Sequence, residues 1–467
     1  MQFIYKLSLI AVAVTLTACS NTEVDLHSQI DLPANFEQTG NGTGTADVSR
    51  WWRQWHDPQL TRLIEQGLRN NLDIAMARSR LNEAQANTAY TEADKGPQVS
   101  GSGRIGGSRS RLINSPLTGE NDTSSGNNQY AGITASWELD FFGKKRSDAD
   151  AAKAAETAVQ NQIYATRMLI AGQIAENYFN IFALQQQNAV LNQSVKVLSR
   201  LRNYVQGRFN AGQANANDVL QVENRLTAVQ AQQATLNSQI AANERAIAVL
   251  TGQTPQGFRI NKNGNPLVTL PSPPAGMLPG DLLNRRPDLR VDRAQIQAAA
   301  AKLASAKADL YPRFDIQFMG GTGRIEINSD ISELKGWTGL LSGGLSVPIF
   351  TNGRIQANID AADARLKTAL LQYDKTLIQA LADVDNAYQA QYALNRQAEL
   401  QQSAVKKAQV SAANAEKLFK YGDKNLDNAL TERLNALDYQ NQLIQVRLNR
   451  AKNLVNLYKA LGGGWQE

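Results

Sequence analysis

Residues 133–141 read Ile133-Thr134-Ala135-Ser136-Trp137-Glu138-Leu139-Asp140-Phe141, and the segment behind them, from Lys144 to Asn210, has no proline. The first stretch alternates apolar and polar side chains with period two, the mark of a strand with one apolar and one polar face. The second carries Ile163, Ile170, Leu184, Leu191, Leu198 and Val205 on one seven-residue lattice, and Ile174, Ile181, Val195 and Phe209 on the lattice four residues on. A seam spaced three and four is that of coiled-coil-like packing. At 1.5 Å per residue such a helix is on the order of 100 Å long. A membrane-type strand fused to so long a helix decides the fold.

The same pair occurs twice. At an offset of 210, Gly143 matches Gly353, Tyr178 Tyr388, Phe209 Phe419, Gly212 Gly422, Leu220 Leu430 and Gly252 Gly462. Upstream, Pro97 and Pro312 each close a helix and open a strand at a slightly different offset. After each glycine hairpin the heptad restarts: Val219, Leu226, Ile240 and Ile247 in one copy, Leu430, Leu437, Ile444 and Tyr458 in the other. The period is too long for a solenoid and reads as a duplicated half.

Four strands are expected, at about 98–110, 129–142, 313–325 and 336–350, with polar hairpin loops at 110–129 and 325–336. Aromatics cluster at the helix-proximal ends (Phe141, Phe142, Tyr311, Phe314, Phe350), and Tyr130 and Trp337 stand at the loop ends as a second interfacial girdle. Four strands cannot close in lipid, which tolerates no open edge. Eight is about the smallest closed barrel, so the chain must pool strands with copies of itself. A trimer would supply twelve.

At the N-terminus, Lys6 precedes an apolar run from Leu7 to Ala18, followed by Cys19, the only cysteine among 467 residues. The run is too short to span a bilayer and suits a signal peptide. Leu16-Thr17-Ala18-Cys19 resembles a bacterial lipobox, which makes Cys19 the lipidated first residue of the mature chain, and Ser20 favours outer-membrane sorting. Several acyl chains anchor stably.

Composition argues against an enzyme. One cysteine excludes an internal disulfide and a zinc cluster, and His27 and His56 leave little for acid–base chemistry. A net charge of +6 is too dilute for a nucleic-acid footprint. Gly101-Ser102-Gly103-Arg104-Ile105-Gly106 spells a dinucleotide fingerprint, but within a polar strand rather than between a buried strand and a helix. No cofactor and no metal site are expected, beyond covalent lipid on Cys19.

Lipobox, duplicated halves, strand hairpins and heptad helices together resemble the TolC-like outer membrane factors, most closely their lipid-anchored OprM/NodT-like branch. The residues carrying the resemblance are Trp51-Trp52-Arg53-Gln54-Trp55-His56-Asp57-Pro58-Gln59-Leu60, Arg286-Pro287-Asp288-Leu289 and Ala308-Asp309-Leu310-Tyr311-Pro312. It implies a mainly α fold with a small β part: a homotrimer whose helices form a periplasmic tunnel joined to a 12-stranded transmembrane β-barrel, with an equatorial domain. The domains are then 1–18 signal peptide; 19–57 lipidated tether and equatorial segment; 58–252 first repeat; 253–285 Pro-rich equatorial linker; 286–462 second repeat; and 463–467 tail.

The resemblance further implies the outer-membrane exit duct of a tripartite efflux system, fed by a periplasmic adaptor and an inner-membrane pump of RND type. A metal-export duct is the alternative within the fold, and a structural surface lipoprotein the alternative outside it. The helix hairpins would form the adaptor-docking tip, at Gly212, Asp218, Val219, Leu220, Gly422 and Leu430. Asp423 and Asp427 would form the periplasmic gate, although Lys424 follows Asp423 and Asn428 stands where the family pattern often has Asp.

Overall fold

A computed structural model describes residues 28, 30–37, 47–113, 122–327 and 331–465. Cys19 and the signal segment lie outside the described residues. In chain order the elements are a 3-10 helix (Trp51–Trp55), α1 (Pro58–Asn70), α2 (Leu72–Ala93), β1 (Gln98–Leu112), β2 (Asp122–Leu139), α3 (Lys144–Asn210) and α4 (Ala216–Leu250). The second half continues with α5 (Pro279–Arg285), α6 (Pro287–Ala308), β3 (Arg313–Ile327), β4 (Ile331–Ser346), α7 (Arg354–Lys420) and α8 (Leu426–Ala460).

The duplication is visible in the backbone. Helices α3 and α7 each have 67 residues, and α4 and α8 each have 35. The left-handed glycines repeat as well: Gly143 and Gly353 both at φ +76°, Gly212 and Gly422 at +70° and +84°, Gly252 and Gly462 at +70° and +74°. The long helices begin and end at the positions that absence of proline and the hairpin glycines require.

The chain divides into two compact units. The first gathers residues 101–151 and 296–374 and contains a four-stranded sheet of order β1-β2-β3-β4, antiparallel between β2 and β3 and between β3 and β4. The strands are longer on the loop side than expected. β2 starts at Asp122, not 129, and β4 at Ile331, not 336; both stop early, at Leu139 and Ser346. The 122–128 stretch has no apolar alternation to announce it, yet its backbone pairs with the end of β3 (Gly126 opposite Ile327). Ladder hydrogen bonds make a strand of a polar sequence where a partner is present.

The second unit, residues 32–100, 152–295 and 375–467, is helical. Its core contains the heptad residues: Ile163, Ile170, Ile174, Ile181, Leu191, Leu198 and Val205 of α3 are buried, as are Leu430, Leu434, Leu437, Ile444, Leu448, Val455 and Tyr458 of α8. The segment 253–285 is more than a linker. Leu267 and Met277 are fully buried, and α5 forms within it. Nor do residues 463–465 hang free as a tail. Gly463 and Gly464 are buried, and Trp465 Nε1 donates to the Arg285 carbonyl (3.1 Å). Among the described residues no helix is long and apolar enough to cross a membrane.

Candidate functional site

Direct partners in a ladder project to the same face. The rows Leu139–Phe314–Leu345, Trp137–Ile316–Gly343 and Ala135–Phe318–Leu341 therefore share one face, continued by Ile133–Gly320–Gly339 and Ala131–Thr322–Trp337. That face is apolar and exposed among the described residues: Ile133, Trp137, Phe318, Leu341, Leu345 and Trp337 all reach solvent. Its loop-side end is the row Gln129–Arg324–Lys335. The intervening rows form the opposite face, with Ser136–Gln317–Ser342 and Glu138–Asp315–Gly344 among them. The ten residue steps from Phe314 to Arg324 cover about 33 Å along the strand. A tilt of about 40° reduces this to about 25 Å, the height of an outer-membrane apolar band.

Aromatic placement agrees with the girdle expectation at one end and corrects it at the other. At the helix-proximal end Phe141 meets Phe314 edge-on (5.2 Å) and Phe142 stacks on Tyr311 (4.8 Å). At the loop end Trp337 belongs to the apolar face, but Tyr130 does not. It pairs with Gly323, in the polar-face register, and its ring occupies the space that a Cβ on Gly132 or Gly321 would need. Glycines make room for the ring to lie along the polar face, and that arrangement of side chain over neighbouring strands has no period-two signature.

Below the sheet, Asp309 accepts from Lys144 Nζ (2.8 Å) and Arg313 (2.5 Å). Burial pushes its carboxyl upward, but the two cations outweigh burial and hold it below the ordinary 3.8. A depressed folded-state pKa adds stability above pH 3.8 that disappears as pH falls through the folded value. Asp309→Asn should cost about 1 kcal/mol at neutral pH, the upper end for a partly exposed group. It should also flatten the loss of thermal stability below about pH 4. Thermal unfolding of both proteins between pH 3 and 7 checks both points.

The helix hairpins lie in the second unit. In the first, Gly212 N–H donates to Phe209 O (2.9 Å) and Gln213 N–H to Arg208 O (2.8 Å), a closed helix C-terminus that needs φ +70° at Gly212. Asn215 and Asp218 then cap α4 reciprocally: Asp218 N–H donates to Asn215 Oδ1 (2.9 Å) and Asn215 N–H to Asp218 Oδ2 (3.0 Å). The second hairpin repeats the turn, with Gly422 N–H to Phe419 O (3.0 Å) and Asp423 N–H to Leu418 O (2.9 Å). It lacks the box. Asn428 occupies the position of Asp218, and the Asn425 side chain makes no cap bond.

The six tip residues thus separate into two groups. Gly212, Gly422 and Leu220 are on the surface. Asp218 is engaged in the cap, and Val219 and Leu430 are buried in one cluster with Leu198, Leu201, Val205, Leu226 and Leu434. They shape the tip from inside. Of the acidic pair, Asp423 is exposed and Asp427 half-buried, with Asp427 Oδ1 shut off from solvent and without a hydrogen-bond partner among the described residues.

Three anchors had no sequence signal beyond motif resemblance. Asp57 Oδ1 caps α1 by accepting from Gln59 and Leu60 N–H (2.9 and 3.0 Å), while its Oδ2 accepts from Tyr178 O–H (2.8 Å), 121 residues away. Burial first, then the Asp57 carboxylate, raises the Tyr178 pKa and keeps the phenol a donor. Its repeat partner Tyr388 donates to Pro274 O (2.6 Å). Asn71 Nδ2 donates to Leu250 O at the end of α4 (3.0 Å), and Arg286 Nη1 to Ala460 O at the end of α8 (3.3 Å). The two copies fasten the same junction with different side chains.

A sheet with one apolar face, in a chain with two helices of 67 residues, about 100 Å each, is what the protomer of a barrel-and-tunnel channel requires. Residues 63–253 and 278–463 match the outer membrane efflux protein family, and the chain belongs to it. It is 28% identical over 466 residues to the pyoverdine export outer membrane protein OpmQ of Pseudomonas aeruginosa, covering 99% of this chain and 97% of that one. It is 27% identical over 469 residues to the cation efflux system protein CusC of Escherichia coli, covering 99% of each. Among solved structures, the outer-membrane channel OprN superposes with a TM-score of 0.79 at 23% identity, over 95% of this chain and 99% of that one. The chain is an outer-membrane efflux channel, and its relatives are channels rather than enzymes.

Proposed function

We propose that this chain is the homotrimeric exit duct of a tripartite efflux system, anchored by lipid on Cys19 and belonging to the OprM/NodT-like branch. The observation that supports the trimer is the sheet: among the described residues its edge strands β1 and β4 each have one neighbour, and lipid tolerates no unpaired edge. Three sheets joined edge to edge give twelve strands. Exposed apolar residues along α7, Leu371, Ile378, Tyr392 and Val410, supply a surface for the neighbouring copy.

The hairpin tips receive the periplasmic adaptor, with Gly212, Gly422 and Leu220 at the surface and Asp218, Val219 and Leu430 holding their shape. The adaptor links the duct to an inner-membrane pump of RND type. Transport is diffusion through a water-filled bore, driven by the pump and needing no cofactor here. Asp423 and Asp427 form the closed gate, because three-fold symmetry brings three copies of each towards one axis, where carboxylates repel or hold cations. The cargo is small organic molecules. Metal ions are the second reading, which the likeness to CusC favours.

Planar-bilayer recording of the purified protein tests the duct. Discrete single-channel steps are expected, and Asp423→Ala should raise their conductance by about twofold or more, since it removes a ring of charge at the narrowest point. A monomer that never conducts defeats the duct; unchanged conductance in the variant removes Asp423 from the gate.

A further inference from the structure

The loop-side end of the sheet carries a hollow of about 760 Å³ that the duct function does not use. The strand rows place it. Ala131 and Thr322 lie in one row, and Gln129, Arg324 and Lys335 in the next row of the same face towards the loops. A Cβ on Gly106 would meet the Asn128 side chain. Gly106 therefore shares the polar face with Asn128, and the odd-numbered Gly103 and Ile105 share the apolar one. Gly103, Ala131 and Thr322 form the floor of the hollow, and Thr322 donates its hydroxyl to the Gly336 carbonyl (3.1 Å). Ile105, Gln129, Arg324 and Lys335 form its loop-side rim. Arg104, Tyr130 and Gly323 also line it. They alternate with the two rows, so their contribution is main chain. The hollow thus opens on the apolar face.

Small residues below and two cations at the rim give the hollow an apolar floor and a charged edge. The edge stands where the apolar band ends, about 25 Å above the Phe314 row. A cation facing lipid is costly at the bilayer centre and nearly neutral at the interface, so this height is that of headgroups. Trp337, in the floor row and 84% exposed, is the kind of aromatic that settles at the same level. Lys335 is exposed and Arg324 half-buried. Both already have a partner within the chain, and the site does not depend on their being free. A guanidinium carries five N–H donors and an ammonium three, and a cation held in place by a neighbour is preorganised for a further oxyanion.

We propose that this hollow is a binding site for a phosphate-bearing lipid of the leaflet at the loop end. The phosphate lies against Arg324 and Lys335, where guanidinium takes two oxygens at once. The adjoining apolar part of the lipid fills the hollow over Gly103, Ala131 and Thr322. The inference rests on the duct reading, which closes the sheet into a barrel with its apolar face to lipid and its loop end at the outer leaflet. Lining residues come from all four strands of one copy, so each copy has a complete site. Bound lipid bridges the strands from β1 to β4 and steadies the loop end of the sheet.

Native mass spectrometry of the purified oligomer in detergent, titrated with diphosphoryl lipid A, should show saturable binding of one lipid per copy. Phosphatidylcholine, whose phosphate is neutralised by its own ammonium, should bind at least about tenfold more weakly, as should sodium pyrophosphate, which has no apolar part. Arg324→Gln/Lys335→Gln should weaken lipid A binding by about tenfold or more, the effect of removing a charge-assisted contact. Ala131→Phe keeps both cations and fills the floor, and should weaken it as well; an aromatic side chain facing lipid leaves the barrel intact. Equal binding of phosphatidylcholine, equal binding of pyrophosphate, or unchanged lipid A binding in either variant overturns the proposal. Single-channel recording of the same preparations separates this test from that of the duct: discrete steps without selective lipid binding overturn the lipid site and leave the duct standing, whereas selective binding without steps counts against the duct alone.

Discussion

Trp51→Ala is expected to cost about 3–5 kcal/mol, the range for truncating a large buried aromatic. Trp51 has no exposed surface; it stacks on Tyr458 (5.5 Å, 14° between planes) and meets Trp52 and Trp55 edge-on (5.7 and 5.5 Å). Its indole N–H makes no hydrogen bond among the described residues, so the loss is packing alone. Trp51→Phe keeps the stack and should cost roughly half as much. The measurement is Tm of the purified oligomer together with folded yield in the outer membrane. Because the ring packs on Tyr458 near the end of α8, a helix of 35 residues with the hairpin at its other end, about 45 Å away, surviving Trp51→Ala channels should conduct like wild type. A loss under about 1 kcal/mol would show that the collar repacks around the gap.

Arg286→Ala should cost about 3 kcal/mol. Arg286 is 9% exposed, and its guanidinium is bidentate to Asp288 (Nε–Oδ1 3.1 Å, Nη2–Oδ2 2.6 Å), with Nη1 shared between Asp383 and the Ala460 carbonyl (3.3 Å each). Burial alone would lower its pKa, but Asp288 and then Asp383 outweigh burial and raise it. Removing one member of a buried ion network typically costs 3–5 kcal/mol. The lower end applies because Asp288 and Asp383 keep 41% and 37% of their side-chain surface exposed and can rehydrate. The orphaned Ala460 carbonyl adds to the loss. A cycle with Asp383→Ala should show coupling of about 1 kcal/mol. Additive single losses would mean that Arg286 acts through Asp288 and the carbonyl, with Asp383 a bystander.

The long helices were legible because their signal is local and repeated. Absence of proline, a heptad seam and a glycine at each hairpin bound α3 at Lys144–Asn210 and α7 at Arg354–Lys420. The capping box emerged only with the structure, although Asn215 and Asp218 stand at its spacing and Asn428 replaces the acid in the second copy. The early starts of β2 and β4 were hidden because their polar residues owe their strand geometry to ladder partners. Tyr130 stands at the loop end as expected, but its even position, shared with Thr134, Ser136 and Glu138, puts it on the polar face; only the structure shows its ring lying over Gly132 and Gly321. Val219 and Leu430 open the heptad lattices of their helices, which already points them inward, but the cluster that they join was not legible. Their burial requires α3, α4 and α8 to converge on one cluster.

By itself the sequence determined the duplication, the two long helices with their glycine hairpins, the amphipathic strands and the membership that these imply, since all of these follow from residue order within one segment or its repeat. Only the tertiary structure decided which residues work as anchors and sites. The Tyr178–Asp57 bond spans 121 residues, and the Arg286 network joins three separate segments. Such sites are defined by distances in space, and charge and hydrogen-bond energies follow those distances, not separation along the chain.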